Sequence, residues 1–155
     1  MRWMRERLNQ DEGFTLIELM VVVLIIAVLV AIAVPSFLGF RNRAQDRSTQ
    51  ADIRNVLLAE KAYWTDEAMF TTAEADLAVY EPSIDLTVLT VTTGNSGDQV
   101  CIEALSDSGT YFLLVENSVA TGGTWYGSHT ATGAAACTTT YTAAPTTGTW
   151  STSGW

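Results

Sequence analysis

A single glutamate stands in a membrane-length apolar run: between Phe14 and Val34 the one acidic side chain is Glu18. As a helix rising roughly 1.5 Å per residue, these 21 residues extend about 31 Å, close to the roughly 30 Å thickness of a hydrocarbon core. The run is long enough to span a bilayer. A carboxylate inside it costs on the order of 2.5–3.5 kcal/mol on insertion scales, less near the interface. Its presence therefore points to a cationic partner within apolar surroundings.

The 155 residues leave room for that segment and one small domain, which argues against a multidomain enzyme. The net charge of −9 conceals a polarity: every Lys and Arg lies at or before Lys61, whereas residues 62–155 carry ten acidic side chains and no basic one. Such a surface repels phosphate backbones, so direct nucleic-acid binding by the distal half is disfavoured. A DNA contact would need Arg41, Arg43, Arg47, Arg54 or Lys61, or another protein. Cys101 and Cys137 are the only cysteines. A disulfide between them is the leading reading, closing a loop that the chain-entropy model values at roughly 4 kcal/mol. Two buried thiols are the alternative, and a zinc site built on lone His129 lacks a fourth ligand.

Residues 1–13 are polar and charged, as in a leader. Three arginines flank the apolar run on each side, so charge alone does not orient it. Phe37, Phe40, Ala44, Ala51, Leu58 and Ala62 continue a helical spacing, predicting one long helix over about 14–64 whose outer half is amphipathic. Pro35 and Gly39 interrupt it and predict a kink or a meltable stretch. Ile84, Leu86 and Val88 alternate with polar residues as a half-buried strand does. Val100–Leu105 and Thr110–Val115 read as a hairpin about Asp107-Ser108-Gly109. The expected fold class is α+β, a long helix packed on an antiparallel sheet of three or more strands. Beyond Asn117 the Thr- and Gly-rich tail predicts loops, one weak strand and a frayed end.

Gly13-Phe14-Thr15-Leu16-Ile17-Glu18, the apolar run behind it and Pro35 closely resemble the class III signal peptide of the type IV pilin and pseudopilin superfamily. The resemblance covers about residues 7–45. It implies a lollipop-shaped subunit: a cleaved leader at 1–13, a transmembrane and filament-core helix at 14–35, an amphipathic helix half at 36–64, and a β-sheet head at 65–155. It implies that a prepilin peptidase cuts after Gly13 on the cytoplasmic side and methylates the new amine of Phe14. Glu18 would then pair with that amine on a neighbouring subunit, and Pro35 with Gly39 would mark the helix kink. The implied partners are further copies of the chain, the peptidase, the membrane, and an inner-membrane assembly platform with its cytoplasmic ATPases. The subunit would sit N-in in the cytoplasmic membrane and later in an extracellular pilus.

Rival readings remain in view. Ala31-Ile32-Ala33 satisfies the small-residue rule of an ordinary secretory signal, but a 20-residue apolar region is long for one and Glu18 would have no use. A plain single-span anchor could let Glu18 snorkel to the interface. Asp98, Glu103 and Asp107 match no calcium loop, Ser128-His129 lacks a third catalytic group, and neither a metal nor a cofactor is expected. The expectation is a structural subunit, not an enzyme: a pilin used for adhesion, twitching motility or DNA uptake, or alternatively a pseudopilin of a type II secretion system.

Overall fold

The computed structural model describes residues 13–118, 123–130, 137 and 149–155. Helix α1, Leu16–Glu67, is 52 residues long and passes through Pro35 and Gly39 as continuous helix. The chain divides into two compact units after Phe40. In the first unit every described residue is exposed.

In the second unit α1 buries Ile53, Val56, Leu57, Ala59 and Glu60, of which Ile53, Val56, Leu57 and Glu60 keep the i, i+3, i+4, i+7 spacing of a stripe. This corrects the face expected from the sequence, for Leu58 is 67% exposed. Two apolar stripes compete over this stretch, and the buried one includes a carboxylate that disguises it. The helix ends at Ala68, whose φ of 57° and N–H to the Trp64 carbonyl, 2.8 Å, make a left-handed cap without glycine. Phe70 then donates its N–H to the Gly97 carbonyl at 2.8 Å. Gly97 has φ 97°, and a Cβ there would lie 2.9 Å from the Met69 Cβ, so the position needs glycine on both counts. A four-residue helix α2, Glu74–Leu77, follows.

Among the described residues five strands form an antiparallel meander in chain order: β1 Leu89–Gly94, β2 Gln99–Leu105, β3 Tyr111–Asn117, β4 Thr124–His129 and β5 Thr149–Ser151. The hairpin expected about Asp107-Ser108-Gly109 joins β2 to β3, with Gly109 at φ 90°. The strand expected over Ile84–Val88 is a loop instead, and the first strand begins at Leu89. The cause is local: Asp85 Oδ1 accepts hydrogen bonds from the Thr87 N–H at 2.8 Å and its hydroxyl at 2.5 Å, a turn that competes with strand pairing.

The cross-strand register sorts the sheet into two faces. Val100, Ile102, Ala104, Phe112 and Leu114 face the buried stripe of α1, joined by Phe70, Leu77, Ile84 and Leu89. Cys101 and Val115 point the other way and pack with Trp125, Trp150 and Cys137. Central strands covered on both sides lose the simple in–out alternation. Cys101 and Cys137 are disulfide-bonded. A Cβ on Gly127 would meet the Trp150 ring at 2.9 Å, so glycine lets the indole lie flat on β4. The tail thus contributes two described strands where one was expected. The expected frayed end is also corrected: Trp155 packs edge-on to Phe112 and Tyr126 and donates its indole N–H to the Gly127 carbonyl at 2.7 Å.

Candidate functional site

The segment singled out by sequence begins with Gly13, Phe14 and Thr15 outside regular structure, followed at Leu16 by α1. Thr15 starts the helix. Glu18 Oε2 accepts from the Thr15 N–H at 2.8 Å and from its hydroxyl at 2.7 Å, while Thr15 Oγ1 accepts from the Glu18 N–H at 3.3 Å. This reciprocal pair is a capping box, which satisfies N–H groups that a helix start leaves without partners. Glu18 lies in the first helical turn, where the helix dipole favours negative charge. The carboxylate therefore has a local reason to be there, beside any intermolecular one. The signal is present in the sequence as Thr-x-x-Glu ahead of an apolar run, and it makes Thr15 the capping residue of α1.

Among the described residues no atom would lie within 4 Å of a Cβ at Gly13 or at Gly39. Phe14 is 87% exposed. Beyond Pro35, the Ser36 hydroxyl donates to the Ile32 carbonyl at 3.4 Å. By length and composition α1 can cross a membrane, and none of its most apolar stretch is buried.

The outer part of α1 is fastened to the head by polar groups. Asp46 accepts from the hydroxyls of Ser106 at 2.8 Å and Ser108 at 2.5 Å, which ties the β2–β3 turn to the helix. Arg54 lies over the Trp155 ring, 5.1 Å from its centroid, and Lys61 pairs with Glu116 at 3.1 Å. Glu60 is fully buried. Its Oε2 accepts the Thr71 N–H at 3.1 Å, and its Oε1 has no hydrogen-bond partner among the described residues. Burial, with the nearby charge of Asp76, pushes the Glu60 carboxyl up to about 7 against the restraining Thr71 hydrogen bond.

His129 lies in β4, not in a loop. It stacks on Tyr111 with centroids 4.9 Å apart, and its Nε2 is 3.9 Å from Glu103 Oε1. Asp98 and Asp107 flank opposite ends of β2, so the carboxylates considered for calcium are not brought together. Among the described residues no group of three or more His, Cys, Asp or Glu could hold a metal ion.

The family model for the prokaryotic N-terminal methylation motif matches residues 8–34. The major component of the type IV wide pilus of Thermus thermophilus is 31% identical over 116 residues, covering 67% of this chain and 88% of the relative. The type IV major pilin of Myxococcus xanthus is 36% identical over 62 residues, covering 40% of this chain but only 28% of that longer protein. The type II secretion system core protein G of Vibrio cholerae is 32% identical over 72 residues, covering 46% of this chain and 49% of the relative.

Proposed function

This chain belongs to the type IV pilin family, and on that premise we propose that it is a non-enzymatic structural subunit which polymerises into a cell-surface filament. The observation that carries the reading is the first unit, a membrane-length apolar helix that buries none of its side chains within its own subunit. Such a surface calls for lipid or for other copies of itself.

Before assembly the subunit spans the cytoplasmic membrane with residues 1–13 inside and the head, 65–155, outside. A prepilin peptidase cuts after Gly13 and methylates the Phe14 amine. Two findings support the cut: Gly13, Phe14 and Thr15 precede α1 as non-helical chain, and no described atom crowds Gly13, which suits a glycine selected by the peptidase. The new amine lies four residues from Glu18. In the filament, Glu18 holds the amine of a neighbouring subunit while Thr15 keeps the carboxylate oriented. Both charges lose hydration in an apolar core, so the pair sets register more than it adds cohesion, but leaving one unpaired costs several kcal/mol. Packing of residues 14–35 against equivalent helices supplies the cohesion, and Pro35 with Gly39 marks where the helix bends or loosens. Residues 36–64 carry the head. An inner-membrane platform with cytoplasmic ATPases supplies the mechanical work for adhesion, twitching motility or DNA uptake.

The Glu18→Ala chain should be cut normally yet yield fibres reduced at least about tenfold, since one uncompensated buried charge outweighs 1.4 kcal/mol. Normal yields of sheared fibre would remove the pairing claim. A second reading, a pseudopilin of a type II secretion system, is favoured by the core protein G relatives. The more extensive match to the Thermus pilus component, 88% of that protein, favours the fibre. Neighbouring genes for a retraction ATPase would favour the fibre, and a secretin with exported hydrolases and no such ATPase would favour the piston.

A further inference from the structure

The second unit carries two surfaces of opposite charge on opposite sides of one helix. The first is a groove beside α1, formed by a 280 Å³ hollow at Gln45–Asp52 and a 170 Å³ hollow at Asp52–Val56 that share Asp52, Val88 and Leu89 as walls. Asp52, Asp85 and Asp107 line it, all exposed, and no Lys, Arg or His lines either hollow. Its apolar walls are open to solvent: Val88 is 65% exposed and Leu105 is 52% exposed. An apolar floor under a carboxylate rim suits a long basic side chain, whose methylenes cover the floor while the guanidinium reaches the acids.

The second surface is basic. Arg43 and Arg47 are exposed and one turn apart, and Arg47 is two residues on from Gln45, about 200° around the helix. They project from the side of α1 away from the groove. Among the described residues Arg47 forms no ion pair, while Lys61 is held by Glu116 and Arg54 lies on Trp155. Residues 62–155 contain no Lys or Arg that could fill the groove.

We propose that the acidic groove of one subunit receives Arg43 and Arg47 of a second copy of this chain. The inference rests on the filament reading above and specifies one of its contacts. Two complementary patches on different sides of a molecule cannot satisfy each other within it. Between copies they make a heterologous contact, which propagates as an open helical assembly when the rotation does not close. A lipid headgroup is the competing occupant of the arginines, but phosphate would be repelled from the groove and would leave it unfilled. The charges also set partner choice, since like-charged surfaces brought together are penalised.

The test is charge reversal in cells making the full chain, with sheared fibre and membrane-bound subunit measured together. Asp52→Lys with Asp107→Lys, and separately Arg43→Glu with Arg47→Glu, should each lower fibre yield about tenfold or more while cleaved subunit persists in the membrane. All four changes together restore opposite charges across the contact and should return most of the yield. No loss in either double variant, or no recovery in the fourfold variant, overturns the groove assignment while wild-type fibres leave the filament reading standing. Loss confined to the arginine variant, together with loss of its membrane fraction, assigns the arginines to lipid and also overturns it. Absence of fibres from the wild type removes both. As a readout independent of charge, wild-type-length fibres carrying Arg47→Cys and Asp107→Cys should give a ladder of linked subunits with a short bismaleimide; intact fibres without the ladder reject the contact.

Discussion

Glu60 offers the sharpest energetic test of how the head holds α1. The side chain is fully buried, and its carboxyl is pushed from the ordinary 4.5 to about 7, burial being the main cause. For an acid whose folded pKa is raised, the unfolded chain ionises first as pH rises. A penalty on the folded state therefore develops from pH 4.5 upward and is complete above pH 7. A raise from 4.5 to about 7, at about 1.36 kcal/mol per tenfold change in proton affinity, amounts to about 3 kcal/mol between pH 4.5 and pH 8. Glu60→Gln removes the ionisation while keeping an acceptor for the Thr71 N–H. Its amide lies where Oε1 finds no partner among the described residues, so a fixed cost of about 1–3 kcal/mol accompanies it at every pH. The informative quantity is thus the pH dependence of the difference between the two chains. Urea unfolding of the full chain in zwitterionic micelles, followed by tryptophan fluorescence, should show the variant gaining about 3 kcal/mol relative to wild type from pH 4.5 to pH 8. A difference that stays constant with pH would refute the reasoning, because Glu60 would then titrate as an ordinary carboxylate.

Two further outcomes follow from the same head. Cys101→Ser with Cys137→Ser removes the one described disulfide and should lower head stability by about 4 kcal/mol on the chain-entropy model, seen as a lower urea midpoint that reductant no longer shifts. Ala68→Gly relieves a non-glycine residue at φ 57° and should stabilise the head by about 1 kcal/mol, measurable as a higher midpoint in the same titration.

Much of the architecture was legible because period and length are local properties. The apolar run, the long helix and the β2–β3 hairpin each announce themselves within a few turns or a few residues. What escaped depended on competition or on distance. Asp85 captures the backbone of Thr87 and turns an alternating stretch into a loop. Glu60, being charged, hid the buried stripe of Ile53, Val56 and Leu57. The strands β4 and β5 are rich in Thr, Ser and Gly, and gain their burial from Trp150 across Gly127 and from the Cys101–Cys137 bond. No local pattern encodes Arg54 lying over Trp155. Within the candidate segment the motif points to Gly13, Phe14 and Glu18, while the Thr15–Glu18 capping box is legible only from the Thr-x-x-Glu spacing. A carboxylate in an apolar run prompts a search for a distant cation, and here a nearer hydroxyl and N–H also hold it.

The central claim is that the subunit is cut after Gly13 and then assembled through the segment so released. Mass spectrometry of the N-terminal peptide from protein sheared off the cell surface tests it most directly. The account predicts a peptide beginning at methylated Phe14. A peptide beginning at Val34 would contradict it, for the apolar helix would then be a discarded secretory signal and Glu18 would have no part in the exported protein.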